Sequence, residues 1–186
     1  MTTIRTFIAI DITPESELVN LWNKLKSVLK NDSVKWVDSK TIHLTLMFLG
    51  ETSMKSVGDI SESLRNGLSN SKSFQIEIKG VGSFGKPEPK VIWAGIEYSQ
   101  DIMNIKRLVD KVLLPFGFED ENKMFKPHLT LGRVKFLNDK MKLRQIIESY
   151  KGVTLQKVQV KRVVFYQSTL TPQGSIYRPI ETIELI

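Results

Sequence analysis

The spacing of hydrophobic residues predicts strands and helices in alternation over the first half of the chain. Segment 5–12 is apolar on both of its alternating faces, which indicates an inner strand. The apolar residues that follow have helical spacing and predict a helix with Thr13 as its N-cap, Pro14 as its first residue and an end near Lys30. The remaining elements are a short extended segment at 34–37, a strand at 43–49 that ends at Gly50, a helix at 54–68 and a strictly alternating strand at 74–79.

The second half of the chain repeats the strand-helix-strand order with which the first half begins. It is predicted to contain a strand at 91–97, a helix at 102–113, a strand beginning at His128, a helix at 139–150, and strands at 153–160, 162–170 and 176–185 with a tight turn at 171–174. A stretch rich in Gly and Pro, residues 80–89, separates the two halves. It is either the connection between two lobes or the loop of a hairpin.

This repetition predicts an α+β fold with two pseudo-symmetric lobes. Each lobe is expected to be an antiparallel-rich β-sheet with helices on its outer face, and the active site is expected in the central groove. The chain is predicted to be a single bilobal domain, 1–186, with pseudo-repeat halves of about 1–80 and 81–186. Its length allows a sizeable core to be buried.

Composition narrows the possible settings and partners. The net charge of +7 suits a polyanionic partner such as RNA, although basic proteins are common. The absence of Cys excludes disulfides and thiolate metal sites, and it is compatible with the cytoplasm, where we expect the protein to act. The apolar run at 7–10 is too short for a signal peptide, and no run is long enough to span a bilayer, so no membrane association is expected.

The two histidines of the chain both open a His-Leu-Thr-Leu tetrad, nearly half the chain apart. Side chains alternate along a strand, so His43 and Thr45 are predicted to share one face, with Leu44, Leu46 and Phe48 on the other. In the second tetrad, His128 and Thr130 are likewise predicted to share a face. A lone histidine in a strand is usually structural, but a repeated tetrad that contains every histidine indicates a symmetric two-histidine site.

Two facing imidazoles suit displacement at phosphorus. One neutral ring takes a proton from water while one protonated ring gives a proton to the leaving oxygen on the opposite side. Thr45 and Thr130 are positioned to donate hydrogen bonds to the non-bridging oxygens. A metal site would need three or four protein ligands, and the chain has no Cys and no third His, so neither a metal nor a cofactor is expected.

Three further residues are candidates for substrate binding, each with an ordinary structural alternative. Arg133 either contacts phosphate or forms a surface salt bridge, and strict alternation turns it away from the histidine face unless Gly132 marks a bulge. Trp36 either lines the cleft or packs in the core. Tyr177 either stacks on a base or packs in the core.

The paired His-x-Thr motifs resemble the signature of the 2H phosphoesterases, in particular the RNA 2′,3′-cyclic phosphodiesterase branch, also called 2′-5′ RNA ligase. The resemblance extends over most of the chain, through segments 5–10, 34–37, 43–51, 91–95, 125–133 and 168–177. It implies that His43 is the general acid, that His128 is the general base, and that an RNA or nucleotide with a 2′,3′-cyclic phosphate end is hydrolysed to a 2′-phosphate without a metal.

Two alternative functions stay open at this point, and a monomer is expected in each case. The same site run in reverse would join RNA halves through a 2′-5′ bond. A protein of a different class would bind a nucleotide or RNA end without turnover, although a pure binder needs no pair of titrating groups.

Overall fold

The computed structural model describes residues 2–119, 124–172 and 174–186, and nine strands within them form one antiparallel sheet. The strands are β1 (Thr3–Asp11), β2 (Ser33–Trp36), β3 (His43–Ser53), β4 (Phe74–Phe84), β5 (Val91–Ile96), β6 (His128–Phe136), β7 (Thr154–Val160), β8 (Arg162–Leu170) and β9 (Ser175–Glu184). The helices are α1 (Ser16–Val28), α2 (Val57–Leu68), α3 (Gln100–Leu113) and α4 (Lys140–Ser149), with 3₁₀ turns at Ser39–Thr41 and Leu114–Phe116. No helix in these described ranges has the length and apolar character needed to cross a membrane.

The two strands that carry the histidines lie side by side at the centre of the sheet. The strand order is β7-β4-β5-β6-β3-β1-β8-β9, with β2 paired to the outer part of β6. β3 and β6 are joined at a single register pair, Leu44 with Leu129. The two lobes are therefore the two halves of one continuous sheet, and the α+β, antiparallel fold expected from the sequence is confirmed.

Strands from both ends of the chain meet in one half of the sheet, and strands between Phe74 and Val160 form most of the other half. β4 lies beside β5, while β8 and β9 extend the sheet from β1. The helices pack as two pairs: α2 and α3 lie together against the β3 half, and α1 and α4 lie together against the β4–β7 half. Because the chain crosses between the halves, a single hydrophobic core links the sheet and all four helices.

The first helix starts later than its sequence predicts. α1 begins at Ser16, and its N-cap residue Glu15 makes no side-chain capping bond. Instead, the side chain of Gln156 accepts a hydrogen bond from the backbone N–H of Glu15 (3.0 Å) and donates one to the carbonyl oxygen of Thr13 (2.9 Å). The prediction of Thr13 as N-cap and Pro14 as first residue is wrong, because a distant side chain supplies the partners that a local cap usually supplies.

The Gly-rich stretch at 80–89 belongs mostly to a strand and its hairpin. β4 continues through Gly80 and Gly82 to Phe84 and pairs with β5, so the hairpin interpretation is confirmed and the lobe connection is not seen. A side chain at position 82 is excluded, since its Cβ would come 2.1 Å from the ring of Trp93. Glycine is therefore needed at this position to leave space for the indole ring, and not because the chain turns here.

Two other predicted boundaries have clear outcomes. β3 does not end at Gly50 but continues to Ser53, with Gly50 at a positive φ of 67° inside the strand. The turn predicted at 171–174 is closed by backbone hydrogen bonds between Thr171 and Gly174, of 2.8 and 3.1 Å. Gln173, within that turn, lies outside the described residues.

Candidate active site

Both histidines begin their strands, and both face the same groove. The register pair Leu44–Leu129 is buried, while the His and Thr residues on either side of it are half-buried on the opposite face. Antiparallel pairing around Leu44 puts His43 beside Thr130 and Thr45 beside His128. The charge of His128 acts on His43, and the charge of Arg133 acts on both rings, so the two imidazoles lie near each other in one groove.

The two imidazole rings are held in the same tautomer by the same local device. The Nδ1 atom of His43 lies 2.8 Å from the carbonyl oxygen of Thr41, and that of His128 lies 2.7 Å from the carbonyl oxygen of Lys126. A carbonyl oxygen only accepts hydrogen bonds, so Nδ1 carries the proton and donates it. Nε2 is therefore the nitrogen left to exchange protons with a ligand.

Burial makes both histidines easier to deprotonate. Desolvation is the largest effect, and it lowers the pKa of His43 and of His128 below the ordinary value of 6.5, against the raising effect of each Nδ1 hydrogen bond. The positive charge of Arg133 lowers both values further. Asp11 acts in the opposite direction on His43 alone and raises its pKa.

Each histidine strand contains a bulge at the last residue of its tetrad. In β3, Ile8 pairs with Met47 and the next residue of β1 pairs with Thr45, so Leu46 is the extra residue. In β6, Ile92 pairs with Gly132 and the next residue of β5 pairs with Thr130. A bulge sets two residues against one and inverts the alternation beyond it. The residues five positions after each histidine therefore face the groove.

Those two inverted positions hold Phe48 and Arg133. Phe48 is 63% exposed, and its ring centroid lies 5.9 Å from that of Phe7, which in turn lies 4.9 Å from the His43 ring. The prediction that Phe48 shares the buried face of Leu44 is wrong, because the bulge moves it to the histidine face. Arg133 follows the bulge at Gly132 and therefore faces the histidine side of the sheet. The charge of its guanidinium acts on both rings.

Aromatic rings surround the histidines on both sides of the groove. The ring of Tyr177 meets the His43 ring edge-on at 5.2 Å, and it also contacts Phe7 at 4.9 Å. On the other side, Phe84 meets the His128 ring edge-on at 4.8 Å and Trp93 lies 6.5 Å from it. Tyr177 thus lies beside a histidine rather than in the core, and its rim position leaves it able to meet a ligand.

Trp36 lies on the core side of the sheet. It pairs with Gly132 in the β2–β6 ladder and packs against the core cluster. A Cβ at position 132 would come 2.9 Å from its ring, so the absent side chain is what accommodates the indole. Of the two sequence interpretations of Trp36, core packing is the one that describes the structure.

Sequence reasoning missed several groove residues. Asp11 and Phe7 lie on β1, Phe84 lies on β4, and Lys35 is the exposed register partner of Arg133. These positions depend on strand pairing, which a local pattern does not contain. Asp11 had one usable signal: it is a charged residue that ends an otherwise apolar inner strand.

The residues of the groove suit acid–base chemistry better than metal chemistry. Among the described residues, no group of three or more His, Cys, Asp or Glu side chains could hold a metal ion together. The groove instead presents two titrating nitrogens, a hydroxyl beside each, and an exposed guanidinium. This set can give and take protons at two points while binding an anion between them.

The chain is similar to known proteins over nearly its whole length. A family model described as the AKAP7 2′5′ RNA ligase-like domain matches residues 6–185. A Methanocaldococcus jannaschii protein named RNA 2′,3′-cyclic phosphodiesterase is 36% identical over 179 residues, which cover 96% of this chain and 99% of that protein. A Thermotoga maritima protein of the same name is 36% identical over 181 residues, covering 94% and 92%.

Solved structures share the fold at lower identity. A Thermus thermophilus protein superposes with a TM-score of 0.79 at 21% identity, covering 98% of both chains. E. coli LigT complexed with 3′-AMP superposes with a TM-score of 0.75 at 18% identity, covering 99% of both chains. Together with the family model and the curated relatives, these findings establish that the chain belongs to the 2′-5′ RNA ligase-like family of 2H phosphoesterases.

Proposed function

We propose that this protein hydrolyses the 2′,3′-cyclic phosphate at an RNA end to a 2′-phosphomonoester, without a metal ion. The observation that carries the proposal is the pair of imidazoles on one groove, each with Nδ1 bound to a backbone carbonyl and Nε2 left for a ligand. Curated relatives at 36% identity carry the name RNA 2′,3′-cyclic phosphodiesterase, which supports the same substrate class.

In the proposed reaction, protons move through the two Nε2 atoms. Neutral His128 takes a proton from water as the water oxygen bonds to phosphorus. The bond between phosphorus and the 3′ oxygen breaks on the opposite side, and protonated His43 gives its proton to that oxygen. The products are a 3′ hydroxyl and a 2′-phosphate. His128 ends protonated and His43 neutral, so both exchange protons with solvent before the next turnover.

Thr45, Thr130 and Arg133 are assigned to the phosphoryl oxygens. Each threonine lies beside the histidine of the other strand, where its hydroxyl can donate a hydrogen bond to a non-bridging oxygen. Well-placed donors of this kind contribute about 3–4 kcal/mol to a transition state in other enzymes. Arg133 adds a positive charge that faces both histidines, which suits the anionic phosphate.

The aromatic rim is assigned to the nucleoside. Phe48 is exposed and Tyr177 half-buried on the His43 side of the groove, and flat aromatic faces bind nucleobases by stacking. E. coli LigT, which shares the fold, has been solved with 3′-AMP. The net charge of +7 favours an RNA chain over an uncharged partner.

Product analysis tests the proposal directly. The protein is incubated with an oligonucleotide that ends in a 2′,3′-cyclic phosphate and with the matching mononucleotide, with and without EDTA. We expect a 2′-phosphate product and no loss of rate with EDTA. His43→Ala and His128→Ala should each lower the rate about 10²- to 10⁴-fold. Full activity in His128→Ala would refute the mechanism.

Two other outcomes separate the alternative functions. A 2′-5′ linked product from paired RNA halves would indicate that the site also runs as a ligase. Tight binding of the cyclic phosphate end with no product would indicate a binding protein. The proposed enzyme is complete as a monomer, since one chain supplies both histidines, and we expect it to act in the cytoplasm.

A further inference from the structure

An acidic residue lies beside one histidine and a glycine lies beside the other. Asp11 at the end of β1 is the register partner of His43, and Gly95 on β5 is the register partner of His128. Partners in a strand ladder project to the same face, so the Asp11 carboxylate shares the groove face with the His43 ring. The two-fold similarity of the central strands thus ends at this pair of positions.

The fold excludes an acid at the glycine position. A Cβ built on Gly95 would come 2.7 Å from the backbone carbonyl oxygen of Lys79, a contact that no side chain tolerates without a shift of the backbone. Among the groups that set the pKa of His128, none in the described part of the chain is a carboxylate. The backbone therefore allows an acidic side chain beside His43 and excludes one beside His128.

The carboxylate of Asp11 is held on both of its oxygens. The hydroxyl of Tyr166 donates a hydrogen bond to Oδ1 at 2.5 Å, and Nη2 of Arg162 donates one to Oδ2 at 3.3 Å. Burial, and then the hydrogen bond to Asp11, raises the pKa of Tyr166, so its hydroxyl stays protonated as a donor. Tyr166 is itself fixed by stacking on Phe7 at 5.2 Å.

The charged groups around His43 come from several strands. Asp11 on β1 is the group that favours its charged form, while Arg133 and His128 on β6 oppose it. Tyr177 on β9 meets the ring edge-on. Burial has the largest effect and lowers the pKa. The hydrogen bond from Nδ1 to a backbone carbonyl raises the pKa of both histidines, so the negative charge from β1 is the favourable influence that His43 has and His128 lacks.

We propose that Asp11 is a positioning residue that keeps the proton on His43, so that His43 serves as the acid and His128 as the base. The chemical consequence rests on the function proposed above, whereas the effect on His43 does not. Tyr166 orients the carboxylate through its hydrogen bond, and Arg162, at 3.3 Å, offsets part of the negative charge.

Histidine NMR tests this proposal without any substrate. The chain has two histidines, so the ¹⁵N-labelled imidazole signals can be assigned with His43→Ala and His128→Ala and titrated separately. We expect Asp11→Asn to lower the pKa of His43 by about one pH unit, with a much smaller effect on His128. Asp59→Asn, which removes an exposed acid on α2, is the matched control and should move neither pKa.

A variant that should shift the pKa of His43 in the opposite direction separates an electrostatic effect from a loss of structure. Arg162→Met removes a cation from beside the carboxylate, so it should raise the pKa of His43 and keep the test available if Asp11→Asn does not fold. A His43 pKa that is unchanged in Asp11→Asn, or equal shifts at both histidines, would overturn the proposal. So would an unchanged or lowered His43 pKa in Arg162→Met.

The kinetic arm distinguishes this proposal from the proposed function. With a 2′,3′-cyclic-phosphate oligonucleotide, Asp11→Asn should shift toward lower pH the limb of the kcat/KM profile whose midpoint matches the pKa of His43 measured by NMR, and leave the other limb in place. A shift of only the limb that matches His128 would overturn the proposal. If the NMR shifts occur but no cyclic phosphate is opened, the role of Asp11 stands and the proposed function fails.

Discussion

Replacing Arg133 separates the two ways in which a cation can act in this groove. Its guanidinium faces both histidines because the bulge at Gly132 turns it to their side, and its charge lowers the pKa of each ring. Arg133→Met removes charge and hydrogen bonds together. Arg133→Lys keeps the charge but loses the planar fork that can bind two oxygens at once.

The size of the effect follows from the contact that is lost. A hydrogen bond to a charged group contributes about 1.5–3 kcal/mol, which corresponds to about a 10- to 150-fold fall in kcat/KM for Arg133→Met. Without the cation both histidines are easier to protonate, so both pKa values should rise. The whole kcat/KM profile should therefore shift toward higher pH. Arg133→Lys should leave the profile in place and lower kcat/KM less.

The assay is kcat/KM for a 2′,3′-cyclic-phosphate oligonucleotide across pH, with Lys142→Met as the control. Lys142 is an exposed lysine on α4, so that variant makes the same change of charge outside the groove and should behave as the native chain. Native kcat/KM in Arg133→Met, or an equal loss in the Lys142 variant, would refute the placement of a phosphate contact at Arg133.

Three further predictions concern stability. Leu129→Ala should lower the free energy of unfolding by about 2–5 kcal/mol in chemical denaturation, since Leu129 is fully buried at the junction of the sheet halves. Gly67→Ala should cost about 1–3 kcal/mol with kcat unchanged, because its Cβ would come 2.4 Å from Cγ2 of Val112, and Val112→Ala should restore stability. Burial lowers the pKa of His43 and His128 in the folded state below 6.5. Their contribution to the free energy of unfolding is therefore fully present above pH 6.5 and is lost as the pH falls below it. A double His→Gln variant should lose less stability on acidification.

Alternation along a strand correctly assigned the residues of each tetrad and failed immediately beyond it. His43 and Thr45 share the groove face as predicted, since nothing interrupts the period of two between them. Phe48 and Arg133 lie beyond a bulge, and strict alternation assigns both to the wrong face. A bulge forms where the neighbouring strand accommodates an extra residue, so it depends on the register with that strand as much as on the local sequence.

The predicted boundaries of two elements were wrong for a related reason. The glycines at 80 and 82 suggested a loop, but β4 runs through both of them. Position 82 is glycine because the ring of Trp93 occupies the space that a side chain would need. α1 starts at Ser16 because Gln156, far away in sequence, binds the residues before it. In each case the deciding partner lies on another element.

Residue type and spacing within single segments were enough to predict which strands and helices form, the two histidines with their adjacent threonines, and the family. Strand pairing was needed to show that the rings share one groove through the pair Leu44–Leu129, and that Asp11 lies beside one ring and Gly95 beside the other. Those facts depend on which strands pair and in which register, and pairing is a property of the whole packed sheet.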